Sequence, residues 1–251
     1  MQEVAGQWRG VFLNSGSKSH SFSNLTIKNP QTGIDCDTAN WGNSDWMLTL
    51  QNVKILNASN TGIAANSSRI IAFNLLIAKC GAYGFNIIGG GKYQINHATI
   101  VNYATQVGGT NNAALRLTDA ARNSNNSLAY FDFTETEFNN CIIYGNNNEE
   151  LITNQSETTT YDVLFSNCLL KSLKINVSSS LFNNSIKNLN PLFNNIPDFN
   201  FNLTDGSPAI QKGDKQIITN NPTQLNFDLN NNSRLINPLP DLGCFQFSPS
   251  N

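Results

Sequence analysis

The stretch "LTLQNVKILNASNTGIAANSSRIIAFNLLIAKC", residues Leu48–Cys80, contains the same short pattern twice. Asn52 and Asn74 are each followed three residues later by an isoleucine, and a Gly-Ile pair lies between the two copies. Self-similarity at a fixed period of this size is the sequence signature of a repeat protein. The pattern starts at Asn24, Asn52, Asn74, His97 (in place of Asn), Asn140 and Asn167, with steps of 28, 22, 23, 43 and 27 residues.

Two further elements accompany each copy at fixed offsets. An apolar residue usually precedes the asparagine by two positions, and a glycine followed by an apolar residue comes six or seven positions after the isoleucine. Each period therefore holds three short alternating stretches separated by turns, and lengths of three to five residues suit strands rather than helices. The glycine-apolar pairs are Gly33-Ile34, Gly62-Ile63 and Gly84-Phe85. Gln106-Val107 occupies the same offset in the next period.

Three short strands in each period of roughly 22 residues predict an all-β fold, a single-stranded right-handed parallel β-helix. One coil cannot bury its apolar face alone, whereas stacked coils form three parallel sheets around one core. A leucine-rich repeat would need an L-x-x-L-x-L frame, and a jelly roll would show hairpin turns without a fixed frame. We assign residues 1–172 to the coils of this solenoid and residues 173–251 to the last coil and C-terminal cap of the same domain.

The repeat frame also predicts which residues fill the core, because alternation directs the positions one and three after each asparagine inward together. Cys141 and Cys168 fall in a slot that Leu, Val and Ala fill elsewhere. They are either buried thiols that act as small hydrophobic residues or a disulfide between coils, for which in-register parallel strands orient the Cβ atoms poorly. The two predicted inward stacks are Leu25, Val53, Leu75, Ala98, Cys141, Cys168 and Ile27, Ile55, Ile77, Ile100, Ile143, Leu170.

Composition narrows the function classes. Asparagine accounts for 42 of the 251 residues, which favours turns, left-handed backbone positions and stacked side-chain ladders over helices. The net charge is −2 and no basic stripe is present, so we expect no nucleic-acid partner. No apolar run is long enough to span a membrane, and five cysteines without a C-x-x-C pair do not predict a metal site.

The C-terminal part carries the motifs NPLF (190–193), SPAI (207–210) and DLGCF (241–245), with Asp228 and Arg234 between them. This arrangement resembles the end of bacterial right-handed β-helix proteins of the choice-of-anchor Q type, common in Bacteroidetes. The resemblance extends over nearly the whole chain, although Gln246 stands where the family usually has glutamate. It implies an extracytoplasmic protein, secreted or an outer-surface lipoprotein, with no settled activity and a structural terminal motif. It also implies that a signal peptide and several coils normally precede the stretch that begins at Trp8.

Outward side chains of successive coils line up about 4.8 Å apart, so one face of a β-helix suits a binding site. The face after the Gly-apolar pairs offers two carboxylates, two amides and two cations close to the following turns. Trp41 lies on a longer turn beside them and either stacks on a sugar ring or folds over the coil edge as a local lid. The predicted ligand-binding residues are Asp35, Asp37, Trp41, Asn66, Arg69, Asn86 and Lys92.

Catalysis on this face would rest on Asp35 and Asp37, which are weak candidates. A polysaccharide lyase needs a base and a neutralised uronate, often through Ca²⁺ held by several carboxylates, and a glycoside hydrolase needs two carboxylates across the scissile bond. Two carboxylates on one strand support either mechanism poorly. We therefore expect no cofactor, with only thin support for Ca²⁺, and leave catalysis open while favouring its absence.

The sequence thus predicts a monomeric, glycan-facing protein whose partner is a polysaccharide. The alternatives are a polysaccharide lyase or glycoside hydrolase acting on acidic polysaccharide, and a structural stalk or adhesin module. The sequence allows two interpretations for each of two further features. His97 is a rung of a polar ladder or a general base, and the insertion from about Gly108 to Thr136 is a solvated loop or an active-site lid. Lys92 is the residue of the Gly89–Tyr103 stretch with the best case for function.

Overall fold

The computed structural model describes residues 4–39, 45–103, 112–123 and 125–249. These residues form a parallel β-helix, as the sequence predicts, because strands from successive coils pair in parallel and in register. The strands are β1 Val11–Leu13, β2 His20–Lys28, β3 Thr32–Cys36, β4 Leu48–Leu56, β5 Thr61–Ala78, β6 Tyr83–Asn96, β7 Thr99–Asn102, β8 Ala113–Thr118, β9 Ala120–Arg122, β10 Leu128–Tyr130, β11 Phe133–Asn139, β12 Ile142–Gly145, β13 Leu151–Asn154, β14 Tyr161–Ser166, β15 Leu169–Leu170, β16 Phe182–Asn183, β17 Ile186–Lys187, β18 Phe193–Asn195 and β19 Asn200–Leu203.

Each coil contributes to three sheets, and the longer strands bend from one sheet into the next. The first sheet contains β1, β3, the start of β5, the start of β6, β8 and β13. The second contains β2, β4, β5, β6, β11, β14 and β16. The third contains the ends of β2, β4 and β5, followed by β7, β12, β15 and β17.

The core follows the predicted inward stacks. Pairing connects Ile27 to Ile55, Ile77 and Ile100, and continues through the next two coils to Leu170. All members of this stack are buried in one apolar cluster. Cys141 and Cys168 fill the neighbouring stack as buried thiols, each with its sulfur 3.2 Å from a backbone carbonyl oxygen.

One predicted offset is wrong. In the fifth coil Phe85 pairs with Leu115, so Leu115 takes the place that the repeat frame gives to Gln106-Val107, and those two residues lie outside the described part of the chain. The cause is an insertion between the third and first sheets, which moves the next strand further along the sequence. Gly84 fits the new neighbour because the carbonyl oxygen of Ala114 lies 2.5 Å from where a Cβ would stand.

The asparagines form a ladder at the corner between the second and third sheets. Each one has a left-handed backbone, with φ between 51° and 55° from Asn24 to Asn167, and His97 has φ 53°. Asparagine tolerates this conformation better than other non-glycine residues, which explains its recurrence. Asn52 donates to Asn24 and Asn74 donates to Asn52 through their side-chain amides, each at 3.0 Å.

The C-terminal part, expected as an end cap, divides into two pieces. Ile175, Leu181 and Phe182 close the end of the core, and the Phe182 ring stacks on Phe165 with centroids 5.4 Å apart. The segment from about residue 190 onward turns back and covers the outward side of the third sheet instead. It does so because that side is apolar: Phe201, Cys244 and Phe245 cluster there with Leu56, Leu76, Ala78 and Val101.

Two short helices belong to this returning segment, α1 Lys215–Asn220 and α2 Pro222–Leu225. Asp214 caps α1 by accepting from the backbone N–H of Gln216 at 2.8 Å. Ile218 and Leu225 pack on Phe73, an outward residue of the second sheet. Neither helix, nor any other in the described residues, has the length and hydropathy that crossing a membrane requires.

Candidate functional site

Six of the seven predicted ligand-binding residues lie on or beside one surface, which we call the junction surface. It comprises Asp35, Asp37, Asn66, Arg69, Asn86 and Lys92, where the first sheet turns into the second across the second, third and fourth coils. Trp41, the seventh, lies outside the described residues, so both interpretations of its role stay predictions.

The first-sheet part of this surface is built by strand register. Asp35 pairs with Ala64, Ala64 with Asn86, and Asn86 with Arg116 of the fifth coil, so these outward side chains form one row. Arg116 was not among the predicted ligand-binding residues. Its guanidinium lies 5.4 Å from the Tyr83 ring centroid, a cation–π contact on the same face.

The two aspartates differ in their surroundings. Partial burial raises the pKa of the Asp35 carboxyl, and the negative charge of Asp37 raises it further. Asp37 is exposed, and its Oδ1 accepts from the backbone N–H of Thr38 at 2.7 Å. Both aspartates belong to one strand end rather than to opposite walls of a groove, which gives little of the geometry that glycosidic bond cleavage requires.

Arg69 and Lys92 are paired in register at the start of the second sheet. Lys92 Nζ lies 2.6 Å from Glu135 Oε2 and 5.3 Å from the Trp46 ring centroid. The hydrogen bond from Lys92, with its charge, lowers the pKa of the exposed Glu135 carboxyl. Lys92 therefore joins a charged and aromatic group drawn from three coils.

The turn that carries these residues is held firmly. Ser68 Oγ donates to the carbonyl oxygens of Cys36 and Asp37, at 3.1 and 3.0 Å, so it ties the third coil to the second. In the fourth coil the turn is Gly89–Gly91, with positive φ at all three residues. At Gly90 a Cβ would stand 2.2 Å from the Asp132 carbonyl oxygen, so only glycine fits this close approach.

The hairpin of β9 and β10 lies within the insertion for which the sequence predicts either a solvated loop or an active-site lid. It packs beside Gly89 through Ala121 and leaves three large apolar side chains, Leu128, Tyr130 and Phe131, between 44% and 53% exposed. The signal in the sequence is the run "LAYF" after the Asn- and Ser-rich stretch "RNSNNS". A polar turn between two short runs of apolar residues is typical of a hairpin.

His97 is a rung of the ladder and has no access to solvent. Its Nε2 lies 3.0 Å from the Asn140 amide nitrogen and its Nδ1 lies 3.2 Å from the Gly243 carbonyl oxygen. Because an amide nitrogen only donates, Nε2 accepts and Nδ1 carries the proton. Burial, reinforced by the charge of Arg234, lowers the pKa of His97. A general base must be accessible to substrate, and this ring is fully buried.

Metal-ligand geometry is absent from the described ranges, which contain no group of three or more His, Cys, Asp or Glu side chains placed to hold an ion. Asp35 and Asp37 alone offer fewer oxygen ligands than Ca²⁺ takes. The side chains of the junction surface can donate and accept hydrogen bonds and carry charges of both signs.

Comparison with known proteins adds no relative: no protein-family model and no curated protein matches this chain. The resemblance to choice-of-anchor Q proteins accordingly stays a prediction, and so do the extracytoplasmic location and the bacterial source that it implies. What is established is the parallel β-helix and the arrangement of side chains on its surface.

Proposed function

We propose that this protein binds glycan chains at the junction surface and performs no chemistry on them. The observation that carries the proposal is the register of three successive coils, which brings carboxylates, amides and cations together on one surface. A sugar chain presents hydroxyls that both donate and accept, so a mixed set of this kind is complementary to it. Exposed Tyr130 and Phe131 on the adjacent hairpin offer apolar faces for sugar rings.

The experiment is a glycan array probed with three proteins: the wild type, Lys92→Gln and the matched control Lys215→Gln. Lys215 is an exposed lysine of α1, away from the junction surface. We expect the wild type to bind a subset of glycans, Lys92→Gln to bind them about tenfold more weakly, and Lys215→Gln to bind them as the wild type does. Equal binding by both variants would remove the junction surface from the proposal.

A lyase assay separates binding from the rival enzymatic function. Polygalacturonate and alginate are incubated with the protein, and the absorbance of an unsaturated product is followed. We expect no product. Product formation that disappears in Asp37→Asn would replace the binding proposal with a polysaccharide lyase, and the absence of any glycan ligand together with the absence of product would favour a structural stalk.

A further inference from the structure

A second concave site lies on the outward face of the second sheet, further along its strands than the junction surface and towards the third sheet. The returning C-terminal segment stands beside the outward face of this sheet in the fifth to seventh coils, and a cleft of about 740 Å³ separates the two. Its volume lies within the range of small-molecule sites. The sheet supplies the floor through Glu137, Asn139, Ser166 and Asn183, and the segment supplies a wall that includes Lys212 and Ile217.

The floor is a continuous polar row. Asn96 pairs with Asn139, Asn139 with Ser166, and Ser166 with Asn183, which gives one outward polar side chain per coil. The Asn139 amide donates to Asn96 Oδ1 and to Glu137 Oε2, both at 3.2 Å. These bonds fix the orientation of a nearly buried amide at the base of the cleft.

Several polar side chains around the cleft have unused hydrogen-bonding capacity. Within the described residues, the Ser166 hydroxyl, the Asn183 amide and the Lys212 ammonium have no side-chain partner. The side-chain amide nitrogen of Asn167 donates to the Lys212 carbonyl oxygen at 2.9 Å, which leaves its side-chain oxygen to accept from a ligand. Partly buried Leu164 and Ile217 and exposed Leu239 add apolar surface.

We propose that this cleft binds a neutral oligosaccharide. Amide and hydroxyl groups that both donate and accept match sugar hydroxyls, and the apolar side chains match the carbon face of a sugar ring. The charges that line the cleft nearly cancel. The lining contains the cation Lys212 and the carboxylates Glu137 and Asp214, and the Asp214 carboxylate already caps α1. A polyanion therefore finds no cationic surface here. The site is separate from the junction surface and does not depend on the function proposed for it.

The repeat provides a matched pair of variants. Ser166→Trp places an indole on the floor of the cleft, and Ser23→Trp places one at the equivalent position of the first coil, outside the cleft. Ser23 heads the same outward row, which runs through Gln51, Phe73, Asn96 and Asn139 to Ser166. Circular dichroism and urea unfolding establish that both variants are folded.

Isothermal titration calorimetry uses the hexaoses of β-1,4-linked glucose, xylose and mannose, with polygalacturonate as the acidic comparison. We expect at least one neutral hexaose to bind the wild type and Ser23→Trp equally and to bind Ser166→Trp at least about tenfold more weakly. Asn183→Ala removes an amide donor group and an acceptor oxygen. We expect this variant to bind the same hexaose about fivefold more weakly than the wild type does.

Three outcomes overturn the cleft proposal: no neutral hexaose binds the wild type, Ser166→Trp binds as the wild type does, or Ser23→Trp loses binding equally. Lys92→Gln keeps the two proposals apart. If it abolishes hexaose binding while Ser166→Trp leaves it intact, the junction surface is the sugar site and the cleft is not. If Ser166→Trp abolishes hexaose binding while Lys92→Gln leaves it intact, the cleft site is supported whatever the junction surface binds.

Discussion

Two corners of the same solenoid follow opposite rules. At the corner between the second and third sheets, every coil from Asn24 to Asn167 repeats one left-handed residue, and neighbouring side chains bond to each other from Asn24 to Asn74 and between His97 and Asn140. At the junction surface, the corresponding turns differ from coil to coil: Ser67 in one, Gly89–Gly91 in the next, then an inserted hairpin. The repeated corner stacks the coils, and the irregular corner is free to carry binding side chains.

The ladder corner is also where the returning segment attaches. Arg234 Nη2 donates to Asn74 Oδ1 at 2.8 Å and to the Gly243 carbonyl oxygen at 3.2 Å. Asn140 donates to the carbonyl oxygen of Asp214 and accepts from its backbone N–H, at 2.9 and 2.8 Å. Asn74 and Asn140 therefore bond to the segment as well as to a neighbouring rung, and Asn167 bonds to the segment through the Lys212 carbonyl oxygen.

Arg234 is the strongest test of this structural role. Burial lowers its pKa to about 10, against the opposing effect of Asp228 and then of other neighbours. Its Nε and Nη1 have no hydrogen-bond partner among the described residues, so Nη2 makes the bonds that hold the segment.

Arg234→Ala leaves Asn74 Oδ1 short of a buried donor and opens a cavity beside Asp228 and Asp241. We expect the free energy of unfolding to fall by about 3 kcal/mol, measured by urea denaturation. Arg122→Ala is the control, because Arg122 is exposed and, within the described part of the chain, donates only to the carbonyl oxygen of Asn126. It should change stability by less than about 0.5 kcal/mol, and an equal loss in both variants would deny Arg234 a special role.

His97 tests what the ladder demands of each rung. His97→Ala removes the contacts to Asn140 and Gly243 and places alanine at φ 53°, so we expect a loss of about 2 kcal/mol. His97→Asn restores the residue that other coils use at this position and should lose less than half as much. Urea unfolding curves measure both. Equal losses would show that the side-chain bonds matter more than the backbone conformation.

The ladder and the core were predictable because both are local and repeated. A left-handed turn that favours asparagine and an inward isoleucine three residues later recur at similar steps, so alternation and register place the remaining residues. The rows through Asp35 and Asn86 follow from the same register. The repeat frame mispredicted the first-sheet strand of the fifth coil, because an insertion there has no counterpart in the other coils.

The path of the returning segment was not predictable in this way. It depends on contacts such as that of Arg234 with Asn74, 160 residues apart, which no short pattern encodes. The cleft exists only where that segment stands beside the second sheet, so its lining could not be assembled from sequence. The Lys92–Glu135 ion pair likewise joins two coils across an insertion and needs the folded arrangement.

The pH dependence of stability separates His97 from the rest of the ladder. Its pKa in the folded protein lies below the ordinary 6.5, so the unfolded chain binds the proton more readily and stability falls as pH drops below about 6.5. Burial raises the pKa of Glu150 from 4.5 to about 7, which works in the opposite direction, since the folded state holds that proton more tightly.

The difference between the wild type and His97→Asn cancels Glu150 and isolates His97. Urea unfolding at pH 7.5, 6.5 and 5.5 should show the wild type losing stability relative to the variant on acidification, by at most about 1.4 kcal/mol per pH unit. A difference that stays constant over this range would mean that the folded protein accommodates a charged imidazole at this rung.

The smallest expected effect on stability is that of a substitution at the junction surface. Lys92→Gln breaks the 2.6 Å pair with Glu135, whose side chain is 67% exposed, and pairs of this kind contribute little because solvent screens them. We expect the free energy of unfolding to change by less than about 0.5 kcal/mol, while glycan binding falls. Glu135→Gln is the companion variant, because it breaks the same pair but leaves the ammonium in place. If both variants destabilise the protein as much as His97→Ala does, the irregular corner is structural too, since a surface shaped for a ligand should tolerate the loss of its own charges.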